Sequence, residues 1–542
     1  MSSINRFRWS LAALFLSLTL CGGVAGQDEE FFGPTGVEDD GGFGDDGGFE
    51  DGGFDDPAEP AQVDPEVAQQ EIEAALEQIH AAQEAEEWEN ALTMIEELRQ
   101  KYPGTTLMCM FEAGRCYAGQ GNDSQAQRMF SDILAQPSAI GMPQVYSGAS
   151  VEIGKTQMDG GNYLDAIDYF AEATQTMPTN AEAHYYFGRA TFLQVITSPG
   201  GTNDPTSAAG LRSAMKSISK AIDLNPEYGE AYLDRGRILT RLRNVKLAVE
   251  DHEKSVQFLG DDSPAMGDLG LTYRSSGRSE AAKKDFDQQK VLADYRKSLK
   301  SLDTYLKNHD VNASTKPWED VDPLESRPHS ILLARAELKI DMGDEEDAPS
   351  MYEDAITDAD RFIALEHIAA GEKAQGHYTR GLALRMLNRF EEAKKEFTKS
   401  IEQAKQSRQQ GYAGQPYLRR GIIHFRQGNY DLALQDFDDA TFSTSPIQAD
   451  PRAMLWIGLC HAKQGDMHSA TRAYTTAIGA YRDFLPAYMN RGLAHMKTGR
   501  FADAHEDFNM VLRLDADHES ARTYRDAAKR QLDEMSLSIS SY

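Results

Sequence analysis

Residues 417–437 read YLRRGIIHFRQGNYDLALQDF, and residues 488–508 read YMNRGLAHMKTGRFADAHEDF, 71 positions later. The two stretches share Tyr, Arg-Gly, a second Gly, an aromatic, an Ala and Asp-Phe in register. With Gly421 and Gly492 as anchors, Arg stands one residue before, Gly seven after, an aromatic nine after, Ala twelve after and Phe sixteen after. Apolar residues between these points recur at three- and four-residue steps, which predicts two short amphipathic helices per copy. Such a pair cannot bury its apolar face alone, so copies must stack on one another.

The frame fits elsewhere. Anchors fall at Gly114, Gly154, Gly188, Gly236, Gly270, Gly381, Gly421, Gly458 and Gly492, with Ala336 replacing Gly once. Ala follows twelve residues on at 126, 166, 248, 282, 348, 393, 433, 470 and 504. Sixteen residues on stand Phe130, Phe170, His252, Phe286, Tyr352, Phe397, Phe437, Tyr474 and Phe508. In the Gly188 copy the insertion at 195–210 pushes the second half out to Ala214 and Ala221, and a degenerate first copy lies around Trp88, Ala91 and Pro103. Gly428, Gly465, Gly499 and Asn388 sit where the two helices turn, and there backbone freedom is needed. The small anchor and the later Ala let the paired helices approach, and the aromatic fills the space beside them. Pro103, Pro178 and Pro226 end second helices.

This pattern resembles the tetratricopeptide repeat family over about residues 68–535, in roughly eleven copies. The resemblance implies an all-α solenoid, or superhelix, that binds peptides or protein surfaces on a concave face. In that family the residues three before and one and four after the anchor tend to line the groove. In the last three copies these are Leu418, Ile422 and Phe425; Leu455, Leu459 and Ala462; Met489, Leu493 and Met496. A second apolar stripe beside a complete core points to an interaction groove. The competing reading is that tight winding or the terminal helix buries it. Arg426, Lys463 and Lys497, five after the anchor, form a basic row. They serve either to orient an acidic ligand or to complement helix C-termini. In the first arm Tyr185, Arg189 and Phe192 precede Leu233 and Arg237, a chemically different face that would suit another partner. The family's Lys/Asn clamp for chaperone peptides is not recognisable, because apolar residues occupy those places.

Four copies carry Arg before the anchor and an acid sixteen residues later: Arg235–Asp251, Arg380–Glu396, Arg420–Asp436 and Arg491–Asp507. A salt bridge within each copy is expected, against the alternative of an Arg row for an acidic ligand.

The N-terminal region differs. Arg6 and Arg8 precede the apolar run LAALFLSLTL at 11–20, and small residues follow to Gly26. This reads as a secretory signal over 1–26, too short to span a membrane. Lipid attachment at Cys21 is disfavoured by Leu20. Residues 27–66 hold 15 Asp or Glu and no Lys or Arg, a composition that predicts disorder. GGFGDD at 41–46 fits a calcium repeat once, but the units recur after six and five residues, so a solvated spacer is expected. Its Phe43, Phe49 and Phe54 offer apolar points. The formal net charge of −31 argues against nucleic acid, which requires a basic face. Cys109, Cys116 and Cys460 are left after the signal, and an odd number cannot all pair.

No metal-binding His-Glu-x-x-His, phosphate-cradling loop or nucleophile elbow is present, so no catalytic site, metal or cofactor is expected. The expected organisation is a signal at 1–26, an acidic segment at 27–66, a first arm at 67–308, a proline-containing break at 309–328, a second arm at 329–517, and a capping helix with a frayed tail at 518–542. The function expected is that of an exported scaffold in a bacterial periplasm, envelope or extracellular space. Self-assembly, and a switch in which the acidic segment masks the groove, are the alternatives.

Overall fold

The computed structural model describes residues 65–198, 207–283, 287–311, 327–346, 348–407, 413–444 and 450–540. These are all-helical, with 23 α-helices and no strand among the described residues. The expected signal, lipid-attachment cysteine and calcium-like motif lie outside the described residues, as does most of the break at 309–328. The chain divides into two compact units, residues 1–243 and 244–542, a division inside the stretch read as the first arm.

Unit 1 holds α1 (Pro65–Glu84), α2 (Trp88–Lys101), α3 (Thr106–Gly119), α4 (Asp123–Leu134), α5 (Pro143–Asp159), α6 (Tyr163–Thr176), α7 (Ala181–Thr197), α8 (Ser207–Leu224) and α9 (Gly229–Arg241). Unit 2 begins with α10 (Val245–Leu259), α11 (Pro264–Ala281), α12 (Gln288–Asn308), α13 (Pro328–Glu346), α14 (Pro349–Ala364), α15 (Ala370–Met386) and α16 (Phe390–Gln406). It continues with α17 (Gly414–Arg426), α18 (Tyr430–Thr444), α19 (Pro451–Gln464), α20 (Met467–Ala480), α21 (Leu485–Lys497), α22 (Phe501–Leu514) and α23 (Glu519–Ser540). Within each unit consecutive helices pack as neighbours, because no single pair covers its own apolar stripe.

The anchor glycines explain the close pairing. A Cβ built on Gly114, Gly154, Gly381, Gly421 or Gly492 would come within 2.6–2.8 Å of the ring of the aromatic sixteen residues on. Those rings are buried, and so are the alanines twelve residues on. The inter-helix turns take left-handed conformations at Gly428, Gly465 and Gly499 (φ 80°, 90° and 72°), and Asn388 substitutes at φ 59°. Second helices end at Lys101, Thr176 and Leu224, each two residues before its proline.

Three copies depart from the expected spacing. For Gly270 the second helix starts only at Gln288; Ala282 is the residue just past α11, and Phe286 lies outside the described residues. Leu302 faces Gly270 instead, and Ser298 Oγ donates to the Gly270 carbonyl at 2.7 Å. For Ala336 the second helix is displaced by two turns: Ala348 is the N-cap of α14, Tyr352 packs under Gly343, and Ala355 and Ala359 take the buried positions. For Gly188, Ala214 is placed as expected, and Ile218 rather than an aromatic fills the gap. A frame of twelve and sixteen residues read along the chain cannot detect turns added to a first helix, because the added turns keep the helical period.

At the ends, α1 starts at Pro65, so the last two residues of the acidic segment are helical. The tail expected to fray from Ser536 continues as helix to Ser540. Ala521 and Ala528 of α23 are fully buried, which makes α23 the cover of the last pair.

Candidate protein-interaction surface

In unit 1 the expected stripe is mostly interior. Tyr185 and Phe192 of α7 and Arg237 of α9 are buried, and Arg189 is half-buried. All but Phe192 converge on Asp234, which has no exposed surface. The Tyr185 hydroxyl donates to Asp234 Oδ2 at 3.0 Å, Arg237 Nη1 donates to Oδ1 at 3.1 Å, and Arg189 Nη1 donates to Oδ2. Burial opposes the charge on Asp234, but Arg189 and Arg237 outweigh it and hold its carboxyl below the usual range. The two cations are thus spent inside the fold and do not form an open polar stripe. Sequence spacing missed Asp234 because it lies on the same helix as Arg237, one turn before it.

In unit 2 the arginine before each anchor is also structural. Arg420 Nε donates to Asp436 Oδ2 at 3.0 Å and its Nη2 to Oδ1 at 2.6 Å. Arg491 repeats this on Asp507 at 3.0 and 2.7 Å. Arg380 pairs with Glu396 at 3.0 Å. The expected pair Arg235–Asp251 has its members in different units; Arg235 donates to Ser219 within unit 1. Each unit 2 arginine also reaches back to the preceding pair. Arg420 Nη1 donates to Thr398 at 2.8 Å, Arg491 Nη1 to Thr475 at 3.1 Å and Arg380 Nε to Asp360 at 2.6 Å. A further member, Arg335, binds Asp358 with two nitrogens (2.9 and 2.6 Å) and Asp303 with the third (2.8 Å). It was hidden in the sequence by the two extra turns between Ala336 and Ala355. These part-buried pairs, bidentate at Arg335, Arg420 and Arg491, couple neighbouring copies and occupy the arginines at that position.

The apolar stripe divides by burial. Leu418 and Ile422 of α17 are buried, 3% and 8% exposed, in one core cluster with Ile401, Phe437 and Ile457. They are core residues and offer no groove surface. Phe425, Leu455, Leu459, Met489, Leu493 and Met496 are half-buried. The Phe425 ring meets the Trp456 ring edge-on at 5.1 Å. Leu455 and Leu459 lie against Ala470, Tyr474 and Ala494. Leu493 and Met496 pack against Phe508 and Ala528, so α23 covers part of the last copy's stripe. Arg426, Lys463 and Lys497 are exposed in the last turns of α17, α19 and α21, where helix carbonyls favour cations.

Family comparison agrees with this geometry. Models described as tetratricopeptide repeat match residues 374–407, 418–483 and 486–518. One described as Iml2/Tetratricopeptide repeat protein 39 matches residues 69–224. The chain carries tetratricopeptide repeats. Among curated proteins, mouse DnaJ homolog subfamily C member 7 is 24% identical over 377 residues, 68% of this chain and 66% of the relative. The human protein of that name is 20% identical over 376 residues, with the same shares. The chain therefore spans just under two thirds of the length of these relatives. Of solved structures, yeast Tom70 is 12% identical, with 86% of this chain and 96% of that one covered and a TM-score of 0.42. The TPR domain of P58(IPK) is 18% identical, with 72% and 99% covered and a TM-score of 0.23.

Two of the tetratricopeptide repeats add a histidine that sequence reading overlooked. His424 and His495, three residues after their anchors, approach the acids of the arginine pairs at 4.0 Å (Asp436) and 3.8 Å (Asp507). Burial lowers both imidazole pKa values despite those carboxylates. The signal was available: His461 occupies the same place between them. The three cysteines of the repeats are buried and unpaired, and burial pushes the Cys460 thiol up to about 12. Among the described residues no group of His, Cys, Asp or Glu could hold a metal ion, and no helix is long and apolar enough to cross a membrane.

Proposed function

We propose that the protein is an exported scaffold that binds segments of other proteins through the first helices of unit 2. The observation carrying this reading is the recurrence of half-buried apolar side chains, Phe425, Leu455, Leu459, Met489, Leu493 and Met496, on successive first helices beside exposed Arg426, Lys463 and Lys497. Apolar area of this kind supplies affinity, Met adds adaptable packing, and rim cations set orientation. Stacked helix pairs offer extended binding faces as a class. Export is supported by the N-terminal Arg6, Arg8 and the apolar run at 11–20.

The test is affinity capture with the full chain, followed by reconstitution with each purified candidate. A variant carrying Leu455→Gln and Leu493→Gln, first checked for intact helicity, serves as comparison. A partner whose affinity falls about ten-fold in the variant supports the reading, in line with loss of buried interface side chains. Equal affinity for both proteins moves the site away from these helices. A solution mass that rises with concentration, without a captured partner, favours self-assembly.

A further inference from the structure

Arginines on the first helices of unit 2 differ in their pairing. Arg335, Arg380, Arg420 and Arg491 are each neutralised by a carboxylate. Arg385, Arg419 and Arg426 form no ion pair among the described residues, in a chain with 86 acids against 55 Lys and Arg. Arg419 and Arg426 stand two turns apart on α17, either side of Ile423. Ile423 is buried in one cluster with Ala383 and Leu384 of α15, and Arg385 follows Leu384 directly. The three side chains therefore arise where α17 meets the end of α15.

Their hydrogen bonding is incomplete. Nε of Arg385 and Nε of Arg419 are buried with no partner, and Arg385 Nη2 donates only to the Met386 sulfur, at 3.2 Å. Burial, with repulsion from Arg419 and Arg426, depresses the Arg385 guanidinium pKa; Asp344 acts against this from a distance while accepting from the Tyr352 hydroxyl. Arg385 and Arg419 are half-buried, each with a dry Nε that lacks an acceptor, and Arg426 is exposed beside them; unsatisfied charged donors cost stability and suit an anionic ligand that reaches them from the surface. Guanidinium groups match carboxylates bidentately.

We propose that Arg385, Arg419 and Arg426 form an anion site that takes the carboxylates of an acidic segment of a partner protein. The inference rests on the reading of unit 2 as a binding surface and specifies the chemistry of its occupant.

Fluorescence anisotropy with the full chain and the labelled peptide DDFGDDFGDDFG tests it, beside NNFGNNFGNNFG as the uncharged probe. The variant is Arg385→Gln with Arg419→Gln. The expected result is binding of the acidic peptide alone, weakened about ten-fold or more in the variant and falling steeply with salt. The unliganded variant should melt at or above the temperature of the original chain, because like charges have been removed; a scaffolding role would lower it. Failure of the acidic peptide to bind, equal binding by chain and variant, or equal binding of both peptides overturns the anion site. If a reconstituted partner still depends on Leu455 and Leu493 in that case, the wider surface stands and only the arginine site falls.

Discussion

A Cβ on Gly492 would lie 2.8 Å from Cε1 of the Phe508 ring, across the contact between α21 and α22. Phe508 is fully buried, so the ring has nowhere to move. Gly492→Ala should therefore destabilise the fold by about 1–3 kcal/mol through overpacking. Gly479, near the end of α20, has open space at its Cβ position, and Gly479→Ala should be neutral or stabilising by about 0.5 kcal/mol. Urea unfolding of the two variants, compared with the original chain, measures both; equal effects would show that packing against Phe508 does not require glycine.

The Arg420–Asp436 pair should behave as a unit. Asp436 is buried, so Asp436→Ala leaves Arg420 without its carboxylate and should cost about 3 kcal/mol or more. Replacing both partners, Arg420→Met with Asp436→Leu, should cost less than the single change, because no charge is stranded. A double-mutant cycle in urea gives the coupling. A double variant as unstable as the sum of its singles would mean the pair contributes through packing alone.

Asp234 holds two cations in unit 1, and Asp234→Asn should be among the most damaging single polar substitutions there, at about 3–5 kcal/mol. Arg189→Met in the same background should recover part of the loss by removing one uncompensated charge. Thermal unfolding followed by circular dichroism reads both steps.

His329, His424 and His495 are each buried enough to lower their folded pKa below the ordinary 6.5. A lowered folded pKa means the unfolded chain binds protons first as pH falls. The stability they contribute is complete above about pH 6.5 and lost as pH drops through their folded values. Glu112 and Glu396, held at about 2 against 4.5, add an acid limb that begins only below about pH 4.5. Melting temperature should fall between about pH 7.5 and pH 5.5, and His424→Gln with His495→Gln should flatten that part of the profile. An unchanged slope in the double variant would remove these two histidines as its source.

The helical repeat was legible in the sequence because its frame is set by short-range packing. A glycine, an alanine four residues short of an aromatic, and a turn glycine must recur wherever two helices close together. For the same reason the arginine pairs at 420, 491 and 380 could be read from spacing alone. Where extra turns lengthen a first helix, as before Leu302 and Ala359, the helical period continues unbroken and the true partner could not be counted out. Burial was equally out of reach. Leu418 and Leu455 hold the same place relative to their anchors, yet Leu418 lies in the core while Leu455 keeps surface, because that depends on which neighbouring helix lies across each. Arg385 and Arg419 are 34 residues apart, and no local pattern distinguishes them from any other arginine. The sequence by itself determined the helix pairs, their turns and their small-to-large contacts, since these follow from residue size and backbone freedom. Only the tertiary structure decided which charges are neutralised inside the fold and which have no carboxylate partner among the described residues, because that depends on atoms brought together from different repeats.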